Sequence, residues 1–252
     1  MISPLDAKKI GDKIGIDAFT IVREFVQIVF LNELYSIKEA KKTIFKGGTA
    51  IKLMFGSNRF SEDLDFTTDL DKNQIGTLVS KAVRQMQKQI PNLTTQDLKT
   101  IAGISKKIKV QTEITKQPLT IKIDFSQREK VDLVKQGVVK TLLPVSSTVL
   151  VAYMDPSEVL AEKVRAIISR TKGRDIYDMW YLLNKRITVD KKLISKKLAY
   201  YGERYDKNKL VQKIKNWNSR ELDQDVRKFL PRKDRVVLDK LKDLLLAEMV
   251  QL

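Results

Sequence analysis

After residue 155 the apolar residues recur almost only at helical spacing, whereas before it helical stretches are interleaved with short strand-like runs. No other feature constrains the fold as strongly, because a period of 3.6 and a period of 2 demand different elements. Residues 5–14 and 17–35 are helical in pattern, as are residues 71–90, with Ile75, Leu78, Val79, Ala82 and Met86 on one face. Asp71 with Gln74 three positions on has the form of a helix cap. A short apolar run at 43–46 enters the Gly47 and Gly48 pair, a helix-like stretch at 49–55 ends at Gly56, and residues 64–66 alternate as a strand does. Further strand-like runs lie at 106–114, 119–125 and 140–143. The expected architecture is an α/β (α+β) unit with a mixed sheet over residues 1–150, followed by a mostly helical unit over residues 151–252.

The chain contains no cysteine and no histidine. That excludes disulfides, thiolate nucleophiles, Cys or His zinc sites and Ser-His-Asp catalysis. What remains for chemistry is carboxylates, lysines, hydroxyls and backbone amides, a set suited to a hard cation such as Mg²⁺ or Mn²⁺. No run of about 18 apolar residues exists; the best stretch, 25–31, is cut by Gln27 and preceded by Arg23 and Glu24. With no apolar signal region at the start, the expectation is a soluble cytoplasmic protein. The 48 Lys and Arg against 31 Asp and Glu leave a net charge of +17. Residues 163–220 alone hold 17 basic and 5 acidic side chains, 17 − 5 = +12. So local an excess points to a polyanionic partner, and Tyr200, Tyr201, Tyr205 and Trp217 lie among those lysines, where rings can stack on bases or pack between helices.

The segment 45–66 carries the chemistry. Gly47 and Gly48 let backbone amides approach a ligand where a Cβ would clash, and a helix starting after them makes an anion cradle. Lys52 and Arg59 add positive charge nearby. Asp63 and Asp65 flank Leu64, so on a strand both carboxylates project to one face while Leu64 and Phe66 enter the core. Like charges that close are costly unless a divalent cation neutralises them. Asp124, between Ile123 and Phe125, lies on the polar face of another strand-like run and offers a third carboxylate. Asp69 and Asp71 repeat the spacing of Asp63 and Asp65, but Lys72 and Asn73 follow them, and a cap is the better reading.

Gly-Gly, a short helix, Asp-h-Asp and a later h-Asp-h resemble the polymerase-β-like nucleotidyltransferases. The fuller string KGGTAIKLMFGSNRFSEDLDF, ending at Phe66, is similar to the AbiEii/AbiGii toxin family of that superfamily, and so is PSEVLAEKVRAIISRTKGRDIYDMWYLL, from Pro156 to Leu183. The two blocks cover about a fifth of the chain in the family's order. Thr49 stands where many relatives have serine, retaining a hydroxyl.

The resemblance implies a nucleotidyltransferase fold and transfer of NMP from an NTP to an acceptor hydroxyl in a toxin–antitoxin or phage-defence system. It implies Asp63, Asp65 and Asp124 as ligands of Mg²⁺, and Lys46, Gly47, Gly48, Thr49, Lys52, Arg59 and Ser61 as nucleotide-binding residues. Lys163 becomes a phosphate or catalytic lysine, and Asp175 or Asp178 completes the active site. The same two acids, on an apolar helix, can instead form an ion network with Arg170, Lys172 or Arg174. The implied acceptor is RNA, particularly the 3′ end of tRNA, and the implied protein partner is an antitoxin. A protein or small-molecule acceptor, or a non-catalytic RNA-binding protein on the same fold, are the alternatives.

Overall fold

A computed structural model describes residues 1–100 and 103–252. The chain forms two compact units, one of residues 1–56 and 60–154, the other of residues 57–59 and 155–252.

The first unit opens with α1 (Pro4–Ile14) and α2 (Ala18–Tyr35), then β1 (Thr43–Lys46), α3 (Gly47–Phe55), β2 (Leu64–Thr68) and α4 (Lys72–Met86). It ends with β3 (Leu93–Leu98), β4 (Ile104–Val110), β5 (Leu119–Ser126), β6 (Val134–Gly137) and β7 (Val151–Met154). Among the described residues these strands form one mixed sheet in the order β3-β4-β5-β2-β1-β7-β6. The pairs β2–β5 and β1–β7 are parallel and the others antiparallel. Helix α2 is apolar around most of its circumference, with Ile21, Val22, Phe25, Val26 and Ile28 to Leu31 all buried, as a core helix must be. Helix α4 starts with the expected capping box between Asp71 and Gln74 and buries the expected apolar face.

Aromatic packing sets the register of the central strands. Phe45, Phe66 and Phe125 are Cα partners across β1, β2 and β5. Their ring centroids are 5.4 and 5.0 Å apart, and Phe30 of α2 meets Phe66 edge-on at 6.5 Å. Such pairs contribute about 0.5–1.5 kcal/mol each beyond their burial. A slip by one residue would turn this row out of the core and turn the adjacent carboxylates into it, so the register is strongly specified.

The strands depart from expectation in four places, one being that Val151–Met154 pairs into the sheet as β7. The run at 140–143 is not a strand: the Lys140 amide donates to the Leu53 carbonyl at the end of α3, and Leu142 is exposed. The edge strand is instead Val134–Gly137, paired with β7. β3 shows little alternation because it is also an edge strand, with only Leu93 fully buried.

The second unit is helical: α5 (Pro156–Ser169), α6 (Gly173–Asn184), α7 (Lys191–Ala199), α8 (Lys207–Lys215), α9 (Ser219–Arg227) and α10 (Leu241–Glu248). Asp155 caps α5 by accepting from the Ser157 amide, and Pro156 occupies its first turn. Here α5 packs on α6 and α7, and α6 on α9 and α10.

Candidate active site

β1 runs straight into α3, so the chain turns at Gly47 itself. Gly47 has φ 76°, and a Cβ there would run into the carboxylate of Asp65. Both facts restrict the position to glycine. The first amides of a helix, here those of Gly47, Gly48 and Thr49, lack intrahelical acceptors and point along the positive end of the helix dipole. Thr49 is buried, and its hydroxyl donates to the Asp63 carbonyl. Its side chain therefore ties the first turn of α3 to the residue that precedes β2.

The aromatic row fixes the row beside it. Lys46, Asp65, Asp124 and Ser105 are Cα partners across β1, β2, β5 and β4, in strands about 4.8 Å apart. By alternation their side chains leave the opposite face from the phenylalanines. Asp63, Asp65 and Asp124 are all half-buried, dry enough to strengthen charge interactions and open enough to meet a ligand.

Two groups absent from the expected site hold Asp124. The Ser105 hydroxyl donates to one carboxylate oxygen, and Lys122 Nζ lies 2.6 Å from the other. Burial pushes the Lys122 pKa down, but the bond and charge of Asp124, with Asp63 and Asp65 beyond, outweigh it and raise it above the ordinary lysine value. Lys122 is thus a built-in counter-cation for Asp124, within electrostatic reach of Asp63 and Asp65. Its signal in the sequence is its position two residues before Asp124, the same spacing that aligns Asp63 with Asp65.

The loop before β2 is held by Gln27, the residue that interrupts the apolar run of α2. Its amide donates to the carbonyls of Ser61 and Glu62 at 3.1 and 3.0 Å, so a buried polar group is satisfied while Ser61 is positioned. Lys52 lies 3.9 Å from Glu24 and 4.1 Å from the Phe60 ring centroid. Burial raises the Glu24 pKa and Lys52 opposes that shift.

Among the described residues, no three acidic side chains are gathered as a ready-made metal cage. The donor chemistry nevertheless fits a hard divalent cation: Asp65 and Asp124 are aligned in adjacent strands, Asp63 lies two residues before Asp65, and Asp65 sits against the backbone at left-handed Gly47.

The other four charged residues expected at the site, Arg59, Lys163, Asp175 and Asp178, meet in a buried ion cluster of the second unit. Arg59 donates to both oxygens of Asp178 at 2.7 and 2.8 Å. Lys163 Nζ bridges Asp175 at 2.8 Å and Asp178 at 2.7 Å. Arg170 adds two bonds to Asp175, at 2.8 and 3.1 Å. Arg174, a candidate partner from its position, pairs with Asp225 instead at 3.5 Å. Burial would raise the Asp175 pKa, but Lys163 and Arg170 hold it well below the usual carboxylate range. Burial also works against the charged form of Lys163, and Asp175 and Asp178 more than restore it.

The sequence profile of the family described as "Nucleotidyl transferase AbiEii toxin, Type IV TA system" matches residues 29–247. The chain belongs to the AbiEii family. It is accordingly a nucleotidyltransferase toxin of a toxin–antitoxin system, and that system implies a cognate antitoxin protein. The AbiEii chain is similar in fold to MenT4, a nucleotidyltransferase toxin from Mycobacterium tuberculosis H37Rv, with a TM-score of 0.67 and 16% identity over 100% of this chain and 91% of MenT4. It is also similar to JHP933 from Helicobacter pylori, with a TM-score of 0.54 and 20% identity over 94% of this chain and 91% of JHP933. No curated protein matches the sequence significantly. Among the described residues, no helix is long and apolar enough to cross a membrane.

Proposed function

We propose that this toxin transfers a nucleoside monophosphate from an NTP to the 3′-terminal hydroxyl of tRNA, using Mg²⁺. The observation that carries the reading is the alignment of Asp65 with Asp124 in adjacent parallel strands, with the Asp65 carboxylate set against the glycine that opens α3. Carboxylates beside a helix N-terminus support a reading in which cation ligands and a phosphate cradle adjoin.

In this reading Asp63, Asp65 and Asp124 would hold Mg²⁺, which would offset triphosphate charge and ease loss of the acceptor hydroxyl's proton to solvent. The amides of Gly47, Gly48 and Thr49 receive the triphosphate, aided by Lys46, Lys52 and Ser61. Asp124 is oriented by Ser105, and Lys122 offsets charge at the same carboxylates. The acceptor oxygen bonds to the α-phosphorus, the bond to the bridging oxygen breaks, and pyrophosphate leaves. In the second unit, Lys163 is required for transfer, and Asp175, Asp178 and Arg59 position its ammonium. Exposed basic residues between 163 and 220, such as Lys185, Lys191 and Lys192, contact tRNA phosphates.

The test is incubation of the purified chain with total tRNA, Mg²⁺ and each labelled NTP in turn, beside Asp63→Ala/Asp65→Ala. Label entering tRNA with wild type alone supports the proposal. Label entering protein or a small molecule replaces the acceptor. A chain that binds tRNA without ever transferring label defeats the catalytic reading.

A further inference from the structure

Helix α4 and residues 97–100 and 103–106 of the β3–β4 hairpin enclose an open groove of about 1220 Å³ in the first unit. Its charged lining is one-sided. Lys72, Lys81, Arg84, Lys99 and Lys106 face it against the single acid Asp97, and Asp97 is already neutralised by Lys106. Neither the fold nor the aspartate row accounts for this concentration of positive charge.

Gly76 supplies the second observation. It lies in the interior of α4, where glycine costs about 1 kcal/mol relative to alanine. No packing requirement explains it, since a Cβ at Gly76 would meet nothing within 4 Å. It does line the groove. Beside it on the helix face run Asn73, Thr77 and Ser80, at the spacing of one stripe, and all of them border the groove. A glycine that no neighbour requires, on a polar stripe above a basic floor, suits the close approach of another backbone.

Ser105 also borders the groove, while its hydroxyl is bonded to Asp124 on the carboxylate face of the sheet. No aromatic side chain borders the groove among the described residues. A ligand there is held by its phosphates and hydroxyls, with bases left unread.

Resting on the nucleotidyl-transfer reading above, we propose that this groove binds the sugar–phosphate backbone of the acceptor RNA. Lysines and Arg84 neutralise successive phosphates, the α4 hydroxyls and amide bond phosphate or ribose oxygens, and Gly76 lets the strand lie close to the helix. Recognition through the backbone makes the strand's affinity tolerant of sequence.

The test uses the full chain and a fluorescein-labelled 12-nucleotide single-stranded oligoribonucleotide, with binding followed by anisotropy across a salt series. Lys81→Glu/Arg84→Glu changes two exposed helix residues, and Gly76→Gln fills the groove with a good helix former that leaves the fold room. The double variant is expected to weaken binding on the order of tenfold or more and to lower the slope of log K against log salt, by about 0.7 for each phosphate that is no longer neutralised. Gly76→Gln weakens binding with little change of slope and an equal or higher Tm. NTP affinity, measured without RNA, stays at the wild-type value in both. Wild-type RNA affinity in both variants overturns the groove while leaving the transfer reading intact. Parallel loss of NTP and RNA affinity overturns it by making the groove a triphosphate site. A wild-type chain that binds no RNA, even at low salt, overturns the groove and the tRNA acceptor together.

Discussion

Replacing Asp178 by asparagine should expose how much the buried ion cluster contributes to the second unit. Asp178 is fully buried and accepts three charge-assisted bonds, two from Arg59 at 2.7 and 2.8 Å and one from Lys163 at 2.7 Å. A carboxamide in its place would keep the shape but leave the Arg59 guanidinium, 2% exposed, without that counter-charge. Breaking one side of a buried pair costs about 3–5 kcal/mol, because the remaining charge is desolvated and uncompensated. At about 2–4 °C per kcal/mol for a chain of this size, Tm should fall by roughly 6–20 °C. Urea denaturation and calorimetry of Asp178→Asn, Arg59→Met and the double variant Arg59→Met/Asp178→Leu measure the coupling. The double variant should recover part of the loss, since neither Arg59 nor Asp178 is left orphaned, although Lys163 keeps only Asp175 as its counter-charge. A loss below about 1 kcal/mol in Asp178→Asn, the range of a solvent-exposed pair, would refute the reasoning.

The low Asp175 pKa makes the same cluster pH-sensitive. The folded carboxyl ionises well below its ordinary value of 3.8, so its stabilisation is complete above that value and is lost as pH falls below it. The urea midpoint of wild type should drop more steeply below pH 4 than that of Asp175→Asn; parallel curves would contradict this. Gly47→Ala should lower stability by about 1–2 kcal/mol through its left-handed backbone alone, and it should weaken Mn²⁺ binding by displacing Asp65; unchanged Tm would show that the position tolerates a side chain. Lys122→Met should tighten Mn²⁺ binding, followed by electron paramagnetic resonance, because it removes an ammonium competing for Asp124. Weaker binding in that variant would mean that Lys122 supports the cation site.

The parts of the fold and of the site that were legible in the sequence are those whose causes are local. The α/β character, the capped α4, and the alternation that turns Asp63 and Asp65 away from Leu64 and Phe66 all follow from near neighbours. The β5 position of Asp124 could be read in the same way. What decides the geometry is the pairing of strands far apart in sequence. Asp65 faces Asp124 across a parallel pair, and Ser105 reaches Asp124 across an antiparallel one; no periodicity within a single segment encodes either register. Arg59 and Asp178 are 119 residues apart, so the sequence could show each as a charge in need of a partner but could not pair them. The run at 140–143 misled because its apolar pattern is real, while its amide is bonded to Leu53 rather than to a strand. Lys122 was visible on the polar face of its strand and would ordinarily be a solvated side chain; only its neighbours make it part of the site.

The central claim is transfer of NMP to the terminal hydroxyl of tRNA, and periodate provides the most direct test. Oxidation destroys the 2′,3′-diol at the 3′ end and leaves the rest of the tRNA intact. With wild-type protein, Mg²⁺ and the labelled NTP that the chain accepts, intact tRNA should take up label and oxidised tRNA should remain at the background set by Asp63→Ala/Asp65→Ala. Equal labelling of intact and oxidised tRNA would contradict the account and move the acceptor away from the 3′ end.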